Sequence, residues 1–330
     1  MDRRDNILWL AWLSLVLAVA FGAVPAHADE AIKLDPNLKA YAKVSGVSGN
    51  LNSIGSDTLN NLMTLWAEGF RKQYPNVKIQ IEGKGSSTAP PALIEGTAQI
   101  GPMSRPMKGT EIDAFEKKFK YKPTAFPVSI DALAVYVNKD NPIKGMTMAQ
   151  IDAVFSKSRR LGYKENVQKW SQVGVDGPLG SSSISIYGRN SASGTYGFFK
   201  EHALKNGDFK DEVKKQPGSA SVVQGITEDR AGIGYSGIGY MTSGVRAVPL
   251  AEKEGMPFVE AAQHNAENGS YPLWRHLYLY VNKAPNKPLD PIVMEFLKFV
   301  YSREGQQVVV KDGFFPLSAA AIEKELKKLE

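Results

Sequence analysis

The feature that most limits the fold of this chain is its alternation of short β-rich runs with amphipathic helical patterns. Apolar residues recur at helical spacing from Leu59 to Tyr74, Pro75 ends that pattern, and residues 77–81 alternate as a strand does. Such alternation is typical of layered α/β folds. At 330 residues the chain exceeds the length at which one hydrophobic core usually divides, so we expect two lobes.

Other segments fit the same pattern of layers. We expect helices at 91–96 and 114–119, and a strand near 99–101. Residues 294–310 indicate a helical hairpin or one long helix, followed by the turn-rich segment 312–317.

Two similar segments suggest where the lobes are joined. Residues 126–139 and 271–283 both begin with an aromatic residue and proline, and both end in Tyr-Val-Asn-Lys. Two similar strands a domain's length apart are expected if the chain crosses twice between lobes; chance similarity of strand-forming residues is the alternative. We therefore predict one lobe from residues 45–128 plus 280–330 and a second lobe from residues 129–279.

The N-terminus has the order of features found in secretory signal peptides. Arg3 and Arg4 precede an apolar run over residues 7–24, and Ala26-His-Ala28 follows. We predict that residues 1–28 are a signal peptide, cleaved between Ala28 and Asp29; an uncleaved membrane anchor is the alternative. The mature chain would then be exported, and a Gram-negative periplasm is the simplest compartment.

Composition excludes several classes of function. The chain has no Cys, which removes disulfide scaffolds, thiolate metal sites and cysteine nucleophiles. The mature chain keeps His202, His264 and His276, and their spacing matches no metal site, so we predict neither metal nor cofactor. The net charge of +6 is a mild basic excess, and basic residues are mixed with acidic ones, which argues against a nucleic-acid partner.

Three clusters of Gly, Ser and Thr stand just before helical patterns, at residues 55–58, 83–88 and 189–195. A helix N-terminus offers unpaired N–H donors and partial positive charge, and small side chains let an anion approach. Each cluster alone is also explained by ordinary helix capping. If the three converge, they form a site for a tetrahedral oxyanion.

These residues resemble the PstS family of periplasmic phosphate-binding proteins, which serve phosphate ABC transporters. Arg189-x-x-x-Ser-Gly-Thr195 matches the R-x-x-x-S-G-T element that supplies an arginine and several donors to phosphate. The other contact segments of the family resemble Gly55-Ser-Asp-Thr58, Gly85-Ser-Ser87 and Gly101-Pro-Met-Ser-Arg-Pro-Met107. The likeness extends through Gly232-Ile-Gly-Tyr-Ser236 and Asp312-Gly-Phe-Phe-Pro-Leu317, so it covers nearly all of the mature chain.

The resemblance implies a two-lobed α/β solute-binding protein of type II-like architecture, with the ligand cleft between lobes and two hinge crossovers. It implies inorganic phosphate as ligand, an inner-membrane ABC permease as partner, and no enzymatic activity; we expect a monomer. The implied phosphate contacts come from both lobes. They are Ser56, Asp57, Thr58, Ser86, Arg105, Arg189, Ser193, Gly194 and Thr195.

One position departs from the enterobacterial type of the family. There an Asp after the residue matching Ser104 accepts the proton of hydrogen phosphate, whereas this chain has Arg105. Sulfate has no proton at neutral pH, so discrimination against it requires a group that only accepts hydrogen bonds. Asp57 is the natural substitute, although it could instead be an N-cap. Arg105 could pair with Asp57, donate to the anion, or be a surface arginine.

Two other functions compete with phosphate binding. An exported phosphatase could use Ser86 or Ser193 as nucleophile, but no nucleophile elbow, Walker A loop or metal cluster supports that chemistry. The chain could also bind sulfate, molybdate, tungstate or an organic phosphate. Asp57 separates these alternatives, because a preference for a protonated ligand depends on its carboxylate reaching the anion.

Overall fold

A computed structural model of the chain describes residues 31–329. The expected signal peptide and its cleavage site after Ala28 lie outside the described residues. Within them, strands and helices alternate along most of the chain, which confirms the predicted mixed α/β class.

Eleven strands and eleven α-helices occur between residues 31 and 329. The strands are β1 (Gly49–Ile54), β2 (Val77–Glu82), β3 (Gly101–Met103), β4 (Thr124–Asn138), β5 (Met146–Thr147), β6 (Ser185–Arg189), β7 (Lys214–Gln216), β8 (Gly232–Gly237), β9 (Val245–Ala247), β10 (Leu250–Ala251) and β11 (Trp274–Val281). The helices are α1 (Asn60–Gln73), α2 (Ala89–Glu95), α3 (Gly109–Phe119), α4 (Met148–Phe155), α5 (Gly177–Gly180), α6 (Gly194–His202), α7 (Ser219–Glu228), α8 (Gln263–Glu267), α9 (Pro291–Val300), α10 (Arg303–Lys311) and α11 (Ala319–Leu326).

The local predictions agree with these elements to different degrees. The helix expected from Leu59 to Tyr74 is α1, and the strand expected at 77–81 is β2. The helix expected at 114–119 begins earlier, at Gly109, because Glu111 accepts from the backbone N–H of Lys108 and caps the first turn. The C-terminal pattern is a pair of helices, and Ser302 starts the second by accepting from Gly305 N–H.

The two similar segments form neighbouring strands. β4 and β11 pair antiparallel from Thr124↔Val281 to Ala132↔Trp274, with a register shift at Leu277/Tyr278. The rest of β4 pairs with β8 and β9, so this 15-residue strand belongs to both halves of a seven-stranded sheet. That sheet has the order β3-β11-β4-β8-β6-β7, with β9 paired to β4, and β1–β2 and β5–β10 form two small parallel pairs.

Two parts of the hydrophobic core hold helices α1 and α6 in place. In the first, the α1 residues Trp66 and Phe70 pack against the C-terminal helices, with the Phe70 and Phe296 rings 5.3 Å apart. In the second, Phe199 of α6 stacks on Tyr235 of β8, with ring centroids 3.9 Å apart. Each core thus fixes a helix whose N-terminus follows one of the Gly/Ser/Thr clusters.

Between residues 31 and 329, no helix combines the length and apolar character needed to cross a lipid bilayer.

Candidate anion-binding site

Three loops meet where β1, β2 and β3 end. β1 and β2 are parallel, and Ser53 at the end of β1 also bridges in parallel to Ile100 before β3. Parallel strands place their carboxyl ends at one edge, so the loops that follow them converge. Gly85 N–H donates to Gly55 C=O at 2.8 Å, and Ser56 N–H donates to Pro102 C=O at 2.8 Å. A Cβ on Gly55 would lie 2.2 Å from the Pro102 carbonyl oxygen, so the close approach requires glycine.

A fourth loop reaches this edge from the other half of the large sheet. It runs from Arg189 at the end of β6 to Ser193, whose hydroxyl caps α6 by accepting from Tyr196 N–H at 3.3 Å. Ser87 donates to the Ala192 carbonyl oxygen through both its N–H (3.2 Å) and its hydroxyl (3.0 Å), which joins this loop to the first three. The structure therefore brings the three predicted clusters together.

Buried hydroxyls line the junction. Thr58 and Thr195 oxygens are 2.8 Å apart, Ser86 and Ser104 oxygens are 3.3 Å apart, and Ser104 and Thr195 oxygens are 3.5 Å apart. All four side chains are buried. A Cβ on Gly194 would lie 2.2 Å from the Ser86 hydroxyl, so the start of α6 directly faces these groups. Hydroxyls and the free N–H groups of a helix N-terminus are the donors that an oxyanion accepts from.

Arg189 supplies a buried positive charge beside these donors. Its side chain is 1% exposed, and its Nη1 donates to Ser219 Oγ at 2.6 Å while its Nη2 donates to Pro217 C=O at 3.1 Å. Its Nε–H has no hydrogen-bond partner among the described residues. Burial lowers the pKa of Arg189 and the nearby Asp57 carboxylate opposes that shift, so the guanidinium stays charged. An unpaired, buried and charged donor is strongly favourable for an anion.

Asp57 lies across from Arg189 and is not the cap of its own helical turn. Its Oδ2 is 3.1 Å from Arg189 Nη2 and accepts from Ser219 N–H at 2.8 Å, at the N-terminus of α7. The Asp57 side chain is 23% exposed, and both contacts use Oδ2. Asp57 therefore does not cap its own helix. It contacts the start of another helix, α7, and this contact holds its carboxylate inside the site.

Arg105 neither pairs with Asp57 nor lies on the surface. It is 6% exposed, and its Nη1 and Nη2 bind the Glu111 carboxylate at 2.8 and 2.7 Å. The same carboxylate caps the start of α3, so Arg105 is tied to that helix. Its aliphatic stem lies near Gly197 of α6, where a Cβ would be 3.3 Å from Arg105 Cδ.

The sequence analysis missed a second buried ion pair behind the hydroxyls. Arg275 of β11 and Asp131 of β4 face each other in the register, with Arg275 Nη2 2.8 Å from Asp131 Oδ2, and both side chains are almost fully buried. The signal was present in the sequence, since each is the one charged residue inside an otherwise uncharged, strand-forming run. A buried charge in such a run needs a partner nearby.

The contacts of Ser86 and Ser193 do not resemble those of activated nucleophiles. Ser86 Oγ accepts from Ser104 N–H and contacts the Ser104 hydroxyl, and Ser193 Oγ accepts from Tyr196 N–H. Neither set of contacts includes an imidazole or a carboxylate that could act as general base. Within residues 31–329, no group of three His, Cys, Asp or Glu side chains could hold a metal ion.

A separate polar cavity of about 580 Å³ lies away from these loops. Its lining includes Lys157, Arg159, Lys169 and Lys210 together with Asp211 and Glu212. Basic and acidic side chains are mixed in this lining, whereas Arg189 is a buried guanidinium beside buried hydroxyls.

Comparison with known proteins agrees with this geometry. Residues 41–304 match the model of the PBP superfamily domain. The chain is 59% identical to the phosphate-binding protein PstS of Pseudomonas aeruginosa over 316 residues, which covers 96% of this chain and 98% of that protein. It is 28% identical to the PstS protein of Staphylococcus haemolyticus over 289 residues, or 86% of each chain.

A solved structure extends the comparison to three dimensions. It is a candidate phosphate ABC transporter substrate-binding protein from Clostridium perfringens, crystallised with bound phosphate. The two structures have a TM-score of 0.69 at 26% sequence identity, and the match covers 82% of this chain and 100% of the other. By sequence, by family model and by fold, the chain belongs to the PstS family of phosphate-binding proteins within the PBP superfamily.

Proposed function

We propose that this chain binds inorganic phosphate in the periplasm and delivers it to an ABC-transporter permease. The observation that carries the proposal is the convergence of Arg189, four buried hydroxyls and the N-terminus of α6 at one point. Close relatives are named phosphate-binding proteins, and a structural neighbour contains bound phosphate. In this proposal the chain is a monomeric binding protein without catalytic activity, exported after cleavage behind Ala28.

The proposed ligands come from both lobes. Ser56, Asp57, Thr58 and Ser86 belong to the lobe of residues 45–128 plus 280–330. Arg189, Ser193, Gly194 and Thr195 belong to the lobe of residues 129–279. The proposed boundaries fall in β4 and next to the end of β11, and contacts such as Ser87–Ala192 and Tyr240–Asp57 connect the two sides. Closure about the two strands would surround phosphate with preorganised donors, each charge-assisted bond contributing ~1.5–3 kcal/mol.

Arg105 has a weaker place in the proposal. Glu111 binds both of its terminal nitrogens, so Arg105 would not hold phosphate with a bidentate contact. It would act on the anion only through the electrostatic attraction of its nearby positive charge.

Selectivity against sulfate is assigned to Asp57. The fully ionised sulfate dianion has no proton to donate, so a carboxylate facing it is repulsive, whereas hydrogen phosphate can donate to that carboxylate. Arg189 and Ser219 N–H hold the Asp57 carboxylate in place through Oδ2.

Calorimetric titration of the mature, phosphate-stripped protein with phosphate and then sulfate at neutral pH tests the proposed function. We expect tight one-to-one phosphate binding and negligible sulfate binding. Equal or preferred sulfate binding would contradict the phosphate assignment, and binding of neither anion would contradict the oxyanion function itself. Hydrolysis of p-nitrophenyl phosphate by the same sample would support the competing phosphatase function.

A further inference from the structure

Arg275 touches three elements that the anion site depends on. It lies on the crossover strand β11, and its Nε and Nη2 both contact Asp131 Oδ2, at 2.9 and 2.8 Å. Its Nη1 donates to the Ser104 carbonyl oxygen at 2.8 Å, and its Nη2 donates to Thr195 Oγ1 at 3.1 Å. The Phe198 ring covers the guanidinium carbon at 5.3 Å from its centroid. This arginine therefore links the loop after β3 to the start of α6.

The contact with Thr195 has a fixed direction. A guanidinium has five N–H donors and no acceptor, so Thr195 Oγ1 must accept in this bond. The Thr195 hydroxyl proton must then point elsewhere. Thr58 Oγ1 is 2.8 Å away and Ser104 Oγ is 3.5 Å away, both within the buried hydroxyl cluster. Arg275 thus occupies an acceptor position of Thr195 Oγ1 and leaves the Thr195 proton facing the hydroxyl cluster.

The contact with Ser104 has a related effect on Ser86. The backbone of Ser104 is held from its carbonyl side by Arg275, and its N–H donates to Ser86 Oγ at 3.0 Å. Ser86 accepts in that bond, so its own proton is available as a donor. One guanidinium therefore supports the donor orientation of two hydroxyls from opposite sides of the site.

We propose that Arg275 is a positioning residue of the phosphate site, which directs the hydroxyl protons of Thr195 and Ser86 toward the bound anion. The proposal rests on the proposed phosphate function. Asp131 neutralises the arginine and still leaves N–H groups for the other two contacts. Nη1 donates to Ser104, and Nη2, which carries two N–H groups, reaches both Asp131 and Thr195. Lysine could keep the ion pair, but its single ammonium lacks the planar fork that reaches Asp131, Ser104 and Thr195 together.

A double-mutant cycle on phosphate affinity tests the proposal. Arg275→Lys, Thr195→Val and the double variant are titrated with phosphate by calorimetry, and the unfolding of each is followed in urea. We expect each single variant to lose about tenfold in affinity, because each loses one well-oriented donor. The double variant should lose less than the hundredfold product of the two single losses, because both changes remove the Arg275–Thr195 contact. Its loss beyond that of Thr195→Val measures the effect of Arg275 on Ser86 through Ser104.

Two controls separate positioning from folding. Thr195→Ser keeps the hydroxyl and should retain affinity within about threefold. Arg246→Lys changes another half-buried arginine, which donates to the carbonyl oxygens of Asn141 and Ile143, and should leave phosphate affinity unchanged.

Several outcomes would overturn the role of Arg275 while leaving phosphate binding intact. Multiplicative losses in the double variant would show that Arg275 and Thr195 act independently. A less stable Arg275→Lys protein with wild-type affinity would show a purely structural arginine. If Arg275→Lys does not fold, the two Thr195 variants test the proposal. Equal phosphate affinities of Thr195→Val and Thr195→Ser would show that the Thr195 hydroxyl does not contribute to binding, and the proposal depends on that hydroxyl. Absence of phosphate binding by the wild type would contradict the proposed function itself.

Discussion

Two arginine–aspartate pairs lie side by side in this protein, and they differ in how completely their hydrogen-bonding groups are used. Arg275 and Asp131 are 2% and 0% exposed and face each other on adjacent strands. Asp131 also accepts from Ile238 N–H through its second oxygen, at 2.9 Å. Arg189 ends β6 and Asp57 begins the helical turn that precedes α1. Asp57 is 23% exposed, and Arg189 Nε–H is unpartnered within the described chain.

This difference indicates which pair supports the fold and which pair can contact a ligand. A buried pair with all its groups satisfied stabilises one arrangement of the strands and has little left to offer a ligand. A pair with an unpaired donor and a partly exposed carboxylate can still bind a group that both donates and accepts. Hydrogen phosphate is such a group, so we assign direct contact to the Arg189 pair and positioning to the Arg275 pair.

The largest effect is expected from Asp131→Ala. It would leave the Arg275 guanidinium buried without its counter-ion, which typically costs about 3–5 kcal/mol of stability. Urea denaturation of the phosphate-free protein measures this loss. Asp57→Ala also takes the counter-ion from a buried arginine, Arg189, but Asp57 is 23% exposed, so water can enter the space it leaves and solvate the guanidinium. Its loss should therefore be clearly smaller, and equal losses would mean that the two pairs do not differ as described.

Arg189→Ala should have the largest effect on affinity. The loss of two or more charge-assisted bonds predicts phosphate binding at least about a hundredfold weaker by calorimetry. Arg246→Ala is the matched control, since that half-buried arginine contacts backbone carbonyls of Asn141 and Ile143. Unchanged affinity in Arg189→Ala would remove this residue from the site.

Asp57→Asn should change selectivity more than affinity. The amide can donate to an oxyanion, so sulfate should gain about tenfold relative to phosphate. Competition titrations with both anions measure the ratio, and Asp113→Asn on the exposed side of α3 serves as a control. Retained discrimination would assign the acceptor role to another group.

Asp312 is a carboxylate without an arginine partner among residues 31–329. Burial raises its pKa to about 6, and the Asn61 amide, which donates to it, only partly offsets this. The folded form therefore binds a proton more tightly than the unfolded form, and stability should fall as pH rises from about 4 to 6. Asp312→Asn should remove this dependence. Thermal melts should show the variant more stable than wild type at pH 8 and the two alike below pH 4; parallel curves at every pH would contradict the assignment.

Arg105→Gln should have the smallest effect on ligand binding. Because Glu111 occupies both terminal nitrogens, we expect a loss of less than about threefold in phosphate affinity. A loss comparable to that of Arg189→Ala would place Arg105 among the direct ligands.

Features that depend on neighbouring residues could be predicted from the sequence. The helical spacing of Leu59, Leu62 and Trp66 and the alternation of residues 77–81 are local patterns, and α1 and β2 agree with them closely. The convergence of the loops was also predictable in outline, because short strands followed by Gly/Ser/Thr clusters end at a common edge when the strands are parallel.

Features that depend on register or on distant partners could not be predicted in the same way. Arg275 and Asp131 are 144 residues apart, and only the pairing of β4 with β11 makes them opposite each other. Asp57 was expected to cap its own helix or reach the anion, but its carboxylate also holds the N-terminus of α7, 162 residues away. The partner of Arg105 is close in sequence, but the apolar pattern indicates a helix only from residue 114, so Glu111 lies outside the predicted helix.

A crystal structure of the phosphate-loaded protein tests the central claim most directly. We predict phosphate oxygens within hydrogen-bonding distance of the Arg189 guanidinium, the Ser86 and Thr195 hydroxyls and the backbone N–H groups that begin α6. Arg275 should lie behind Thr195 without touching the anion. Phosphate bound instead in the polar cavity lined by Lys157, Lys169 and Lys210, with the Arg189 loops unoccupied, would contradict the account.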